Sequence, residues 1–78
     1  MPPVPDKTLD LKGLACPLPV LKARKALAAL PKGGTLEVLS DDSGAPADFV
    51  AFAESTGNTL LEHTEEGGIH RFLLQHSA

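Results

Sequence analysis

The sequence contains no tryptophan and no tyrosine, and phenylalanine occurs three times among its 78 residues. Any core built from it is mainly aliphatic. Cysteine occurs once, as Cys16, which excludes an internal disulfide and fits a reducing compartment. Long apolar runs are missing too; none approaches the ~20 residues that span a bilayer. The opening Met1-Pro2-Pro3-Val4-Pro5-Asp6-Lys7 lacks the apolar centre of a secretion signal and reads as an extended, proline-rich arm over residues 1–7. A cytoplasmic, soluble protein with no membrane insertion is the expectation. Positive charge is in deficit: 7 Lys and Arg against 10 Asp and Glu give a net charge of −3. Tight, direct binding of nucleic acid needs the reverse. The histidines, His63, His70 and His76, do not have zinc-motif spacing, so no metal centre is expected.

What is present describes one small globular domain, residues 8–76. Residues 8–12 alternate with period two and end at Gly13, predicting a first strand. A helical pattern follows over 17–30, with Val20, Ala23, Leu27 and Leu30 on one stripe and Leu21 beside them in the expected core. Pro31-Lys32-Gly33-Gly34 closes it. Residues 35–40 alternate again as a second strand. Asp41-Asp42-Ser43-Gly44 is a turn, and a second helix starts near Pro46, with Phe49, Val50, Phe52 and Ala53 as its apolar stripe and Gly57 at its end. Residues 59–64 predict a third strand, 65–68 a turn, and 69–75 a fourth strand of ambiguous register. The order β-α-β-α-β-β predicts an α/β fold of the two-layer α+β sandwich kind, with a mixed four-stranded sheet and both helices on one face.

The segment Gly13-Leu14-Ala15-Cys16-Pro17-Leu18-Pro19 carries the chemistry. Proline is favoured at the first helical position, so Pro17 is the expected first helical residue and Cys16 the N-cap. Cysteine is a poor cap, yet a helix N-terminus favours an anion, and a thiolate is one. If the first two strands are parallel, Asp41 and Asp42 come close to Cys16 at the carboxyl edge of the sheet. Their charge opposes the thiolate, and sequence alone does not decide which influence dominates. Lys22, Arg24 and Lys25, with Lys12 upstream, form a basic cluster. It is either a solvated helix face or a docking patch for an acidic partner.

The run Leu9-Asp10-Leu11-Lys12-Gly13-Leu14-Ala15-Cys16-Pro17-Leu18-Pro19 resembles the CPxP signature of the TusA family of sulfur carriers, also called SirA-like. Asp41-Asp42-Ser43-Gly44-Ala45-Pro46-Ala47-Asp48 and Thr56-Gly57-Asn58-Thr59-Leu60-Leu61 resemble two later family segments. The resemblance implies that Cys16 accepts sulfane sulfur as a transient persulfide, without a resident cofactor, and passes it on. The implied partners are a protein donor, either a cysteine desulfurase or a rhodanese (or thiosulfate itself), and a protein acceptor. Acceptors in the family serve tRNA thiolation, cofactor biosynthesis or sulfur metabolism, and a membrane thiosulfate transporter is a further candidate partner. Pro17 and Pro19 would fix the loop-to-helix geometry and Gly13 would permit the turn. Leu14 and Leu18 would offer apolar contacts for docking or pack in the core. Lys12 stands where the family often has arginine, and Ala53 where many members carry a second cysteine, so no internal disulfide can resolve Cys16. A monomer is expected.

Two other classes compete. A cysteine–histidine hydrolase needs a base beside Cys16, and the histidines lie late in the chain with no oxyanion-hole signature. A non-catalytic interaction module of the same fold, with Cys16 binding or sensing, would tolerate Cys16→Ser.

Overall fold

The computed structural model describes residues 4–77. Its elements are β1 (Lys7–Asp10), α1 (Leu18–Ala28), β2 (Thr35–Ser40), α2 (Ala45–Thr56), β3 (Thr59–Glu66) and β4 (Ile69–Gln75). The strands form one mixed sheet in the order β1-β2-β4-β3. β1 runs parallel to β2, while β4 is antiparallel to both β2 and β3. A parallel neighbour needs a crossover, and α1 supplies it, packing on β2 and α2. α2 covers β3 and β4. This is the expected two-layer α+β fold, with the helices on one face.

The sequence signals work as physical stops. Pro17 and Pro19 sit in the first turn of α1, where a missing N–H costs nothing. Gly57 ends α2 at φ +77°, its N–H donating to the Ala53 carbonyl at 3.1 Å. Along β2 the burial alternates, sending Leu36, Val38 and Ser40 towards the helices. Leu36 pairs with Leu74 and Val38 with Phe72, which fixes the register the sequence left open. Phe72 and Leu74 therefore face the helices. Leu73 points to the other face and is still only 3% exposed. There its paired neighbours Glu37 and Glu62 are bridged by the Arg71 guanidinium. All three phenylalanines form one cluster. Phe49 of α2 stacks on Phe72 at 4.5 Å between ring centroids and meets Phe52 edge-on at 6.4 Å.

Several boundaries differ from expectation. Lys7, assigned to the arm, begins β1, and Asp6 is tied to the start of β2. Asp6 donates to the Thr35 carbonyl at 3.0 Å, and its carboxylate accepts from the Thr35 N–H at 2.9 Å. Residues 1–3 of the expected arm lie outside the described residues. The β3–β4 turn is two residues long, not four. Gly67 and Gly68, at φ +58° and +81°, supply both positive-φ positions of a tight hairpin, so Glu65 and Glu66 remain in the strand. Leu21 and Val50, expected in the core, are 54% and 46% exposed.

Candidate functional site

Two loops meet at the carboxyl edge of β1 and β2. In the first, Gly13 takes φ +88° and its N–H donates to Asp41 Oδ1 at 3.0 Å, fastening this loop to the one after β2. The parallel pairing of β1 and β2 makes that juxtaposition. Asp41 is thus a structural tie between loops. Cys16 follows, exposed, and the Cys16–Pro17 peptide is cis. The N-cap of α1 is Pro17, not Cys16. The first helical bond runs from the Leu21 N–H to the Pro17 carbonyl at 3.2 Å, which leaves the cysteine one residue outside the helix.

That offset bears on the thiol. A helix N-terminus holds an anion through its free amides. Here Pro17 and Pro19 have none, and the Leu18 N–H is already given to the Ala15 carbonyl at 3.0 Å. The prolines that shape the turn thus strip most anion-holding donors from it. Carboxylates dominate instead. The polar influence of the Asp48 carboxylate raises the Cys16 pKa above the ordinary thiol range; desolvation and the negative charges of Asp48 and Asp42 push the same way. Each of these influences favours the neutral thiol over the thiolate.

Gly44 makes room for this arrangement. The Cβ that it lacks would lie 3.3 Å from Asp42 Oδ2 and 3.8 Å from Asp48 Oδ2, so the two carboxylates converge on the space at Gly44. The Asp42 backbone is set by its N–H donating to the buried Ser40 hydroxyl at 3.2 Å. Its Oδ2 is buried without a hydrogen-bond partner among the described residues. Asp42 was a candidate from sequence. Asp48, in the first turn of α2, was not, and the only available signal was its place inside the segment 41–48.

Cys16 opens onto a groove between the helices, with a volume of about 360 Å³. Val20, Leu21 and Phe52 give it apolar walls, while Arg24 and Asp48 supply its charges. The predicted basic cluster divides. Arg24 shares the groove with Cys16, whereas Lys22 and Lys25 line a second depression with Lys7, Leu9 and Leu11 on the other side of α1. Lys12 pairs with Asp10 at 3.6 Å. Leu14 packs against the core, and Leu18 is 45% exposed. His63 and His70 lie across the β3–β4 hairpin, 3.2 Å apart, with His63 stacked on Phe72. No group of three or more metal-ligating side chains occurs among the described residues. No helix among them is long and apolar enough to cross a membrane.

Comparison with known proteins gives this geometry a context. Residues 7–76 match the family described as Sulfurtransferase TusA. The chain is 50% identical over 72 residues to the sulfur carrier protein TusA of Allochromatium vinosum, covering 92% of this chain and 95% of that protein. Among solved structures, a SirA-like protein from Desulfitobacterium hafniense superposes with a TM-score of 0.80 at 31% identity, covering 92% of this chain and 99% of that one.

Proposed function

Because the chain belongs to the sulfurtransferase TusA family, we propose that it is a sulfur carrier holding sulfane sulfur as a persulfide on Cys16. The observation that carries this reading is the sole thiol, exposed at the mouth of an open groove. A relay needs a second protein to reach the sulfur, and a deep pocket would hinder it. In loading, the Cys16 thiolate attacks the terminal sulfur of a donor persulfide. The new S–S bond forms on Cys16, the donor's S–S bond breaks, and the donor cysteine leaves as a thiolate that takes up the proton Cys16 released. Delivery repeats the exchange, with an acceptor thiolate attacking the outer sulfur. Each transfer is redox-neutral overall and requires no cofactor.

The donor is a cysteine desulfurase or a rhodanese, and the acceptor is a protein of a thiolation, cofactor or sulfur-metabolic route. Leu18, Leu21 and Arg24 form the contact surface around the sulfur. With no second cysteine, Cys16 depends on a reducing compartment such as the cytoplasm to stay unpaired. The test is a two-step transfer. Protein loaded with labelled sulfur by a desulfurase is purified from the donor and mixed with an acceptor thiol. The label should move to the acceptor and be lost from the carrier. Label that never attaches, or attaches equally to Cys16→Ser, overturns the proposal.

A further inference from the structure

The β3–β4 hairpin holds two histidines that the sulfur chemistry does not use. Seven positions apart, they match no zinc-motif spacing, and it is the fold that brings them together. In the register of the hairpin, His63 lies opposite Phe72 and Glu65 opposite His70. Side chains two positions apart along a strand share a face. His63 and His70 are therefore diagonal neighbours on the helix-bearing face, where Phe72 is fully buried. Phe72 is a platform for both rings. His63 stacks on it at 4.7 Å between centroids and 13° between planes, and His70 at 6.1 Å and 25°. The two imidazoles meet edge first: their centroids are 5.3 Å apart, whereas His63 Nε2 and His70 Nδ1 are 3.2 Å apart. His63 is exposed and His70 half-buried, so solvent reaches the pair.

We propose that His63 and His70 form a binding site for a divalent transition-metal ion of the class that prefers imidazole, such as Zn²⁺, Ni²⁺ or Cu²⁺. The site is independent of the sulfur-carrier reading. Imidazole nitrogens hold such ions at about 2.0–2.1 Å. Two of them on one ion therefore lie about 2.9 Å apart at a right angle and about 3.3 Å apart at the tetrahedral angle. The observed 3.2 Å falls inside that range, so the rings turn to admit an ion and the strands need not move. Without metal, one ring donates its N–H to the other. With metal, both facing nitrogens present lone pairs, and the shared proton passes through water to the far nitrogen of the donating ring. Both imidazoles stay neutral, and water fills the remaining coordination positions. Glu65, the adjacent carboxylate on the same face, forms no ion pair among the described residues, and its negative charge favours a cation here. Hard cations such as Mg²⁺ prefer oxygen ligands and are not held by this donor pair. β3 is an edge strand of the sheet, and the bound ion ties it to β4.

Ni²⁺ is the probe, titrated by calorimetry into the untagged protein in a non-coordinating buffer. Every form carries Cys16→Ser, which removes the thiol as a competing ligand; this is the parent. The parent should bind one ion. His63→Gln and His70→Gln should each weaken binding by about tenfold or more, at least the cost of losing a supporting partner of a metal ligand. His76→Gln should match the parent, because His76 lies beyond β4 with its Nδ1 against the Leu30 carbonyl at 2.7 Å. Mg²⁺ should give no binding. A second measurement needs no histidine substitution: in amide proton–nitrogen NMR spectra of the parent, paramagnetic Ni²⁺ should first broaden residues 62–65 and 69–72. Binding that survives when His63→Gln and His70→Gln are combined, broadening that begins elsewhere, or no binding by the parent at millimolar Ni²⁺ overturns the proposal.

Discussion

Replacing Gly13 with alanine isolates what the loop before Cys16 demands of the backbone. Gly13 has φ +88°, and a Cβ added there meets nothing within 4 Å. An L-alanine therefore incurs backbone strain and no steric clash, about 1–2 kcal/mol. Against this, the substitution removes conformational freedom from the unfolded chain, worth about 0.4–1 kcal/mol. The net loss is about 1 kcal/mol, which for a domain of this size lowers Tm by about 4–8 °C. D-alanine separates the two contributions, since it favours positive φ and keeps the entropic gain. The D-residue can be introduced by joining a synthetic N-terminal segment at Cys16. The three proteins are compared by urea unfolding monitored by circular dichroism, the chain having no tryptophan for fluorescence. The D-alanine variant should be the most stable, wild type intermediate and the L-alanine variant the least stable. An L-alanine variant as stable as wild type, or a D-alanine variant as destabilised as the L-form, refutes the assignment of the cost to φ.

Phe49→Ala should cost about 3–5 kcal/mol. Phe49 is fully buried and links α2 to Phe72, and the loss is a large share of a native stability of about 0.05–0.15 kcal/mol per residue. Val50→Ala, one position on and largely exposed, should stay within about 0.5 kcal/mol of wild type in the same denaturation assay. Leu21→Asn should fold normally and, adding no charge, leave the thiol titration unchanged, because Leu21 lines the groove without entering the core. Its sulfur loading by a protein donor should slow by about tenfold or more, the effect of losing an apolar anchor, while loading from a small polysulfide is unchanged. Equal slowing with both donors would remove the groove from the docking surface.

The fold was legible because its punctuation is local. Pro17, Pro19 and Pro46 mark helix starts, Gly57 marks an end, and period-two alternation marks the second strand; each acts through its own backbone. The misplacements have a common cause in tertiary context. Leu21 carries a core-like side chain at core-like spacing, but it lines the open groove and stays exposed. The hairpin closes at Gly67-Gly68 because two consecutive positive-φ residues suffice, so the preceding glutamates are free to stay in the strand.

The site divides in the same way. Cys16 stood out as a lone thiol in a proline-framed turn, and the parallel strands were expected to bring Asp41 and Asp42 to it. Their separate tasks were not visible. Asp41 fastens Gly13, and Asp42 converges with Asp48 on the space left by Gly44. That convergence joins a loop to the first turn of a helix and depends on a missing Cβ, which no spacing rule encodes. The balance between helix dipole and carboxylates was open for a similar reason. It turned on counting which amides of α1 remain free, and the two prolines and the Ala15 carbonyl decide that count.

The most direct test of the central claim is an intact-mass spectrum under non-reducing conditions. Wild type and Cys16→Ser are each incubated with a cysteine desulfurase plus cysteine and, separately, with a rhodanese plus thiosulfate. The account predicts a gain of one sulfur atom on wild type only, reversed by reductant, in at least one arm, and that arm identifies the donor class. A folded wild-type protein with a titratable thiol that gains no sulfur in either arm would contradict it.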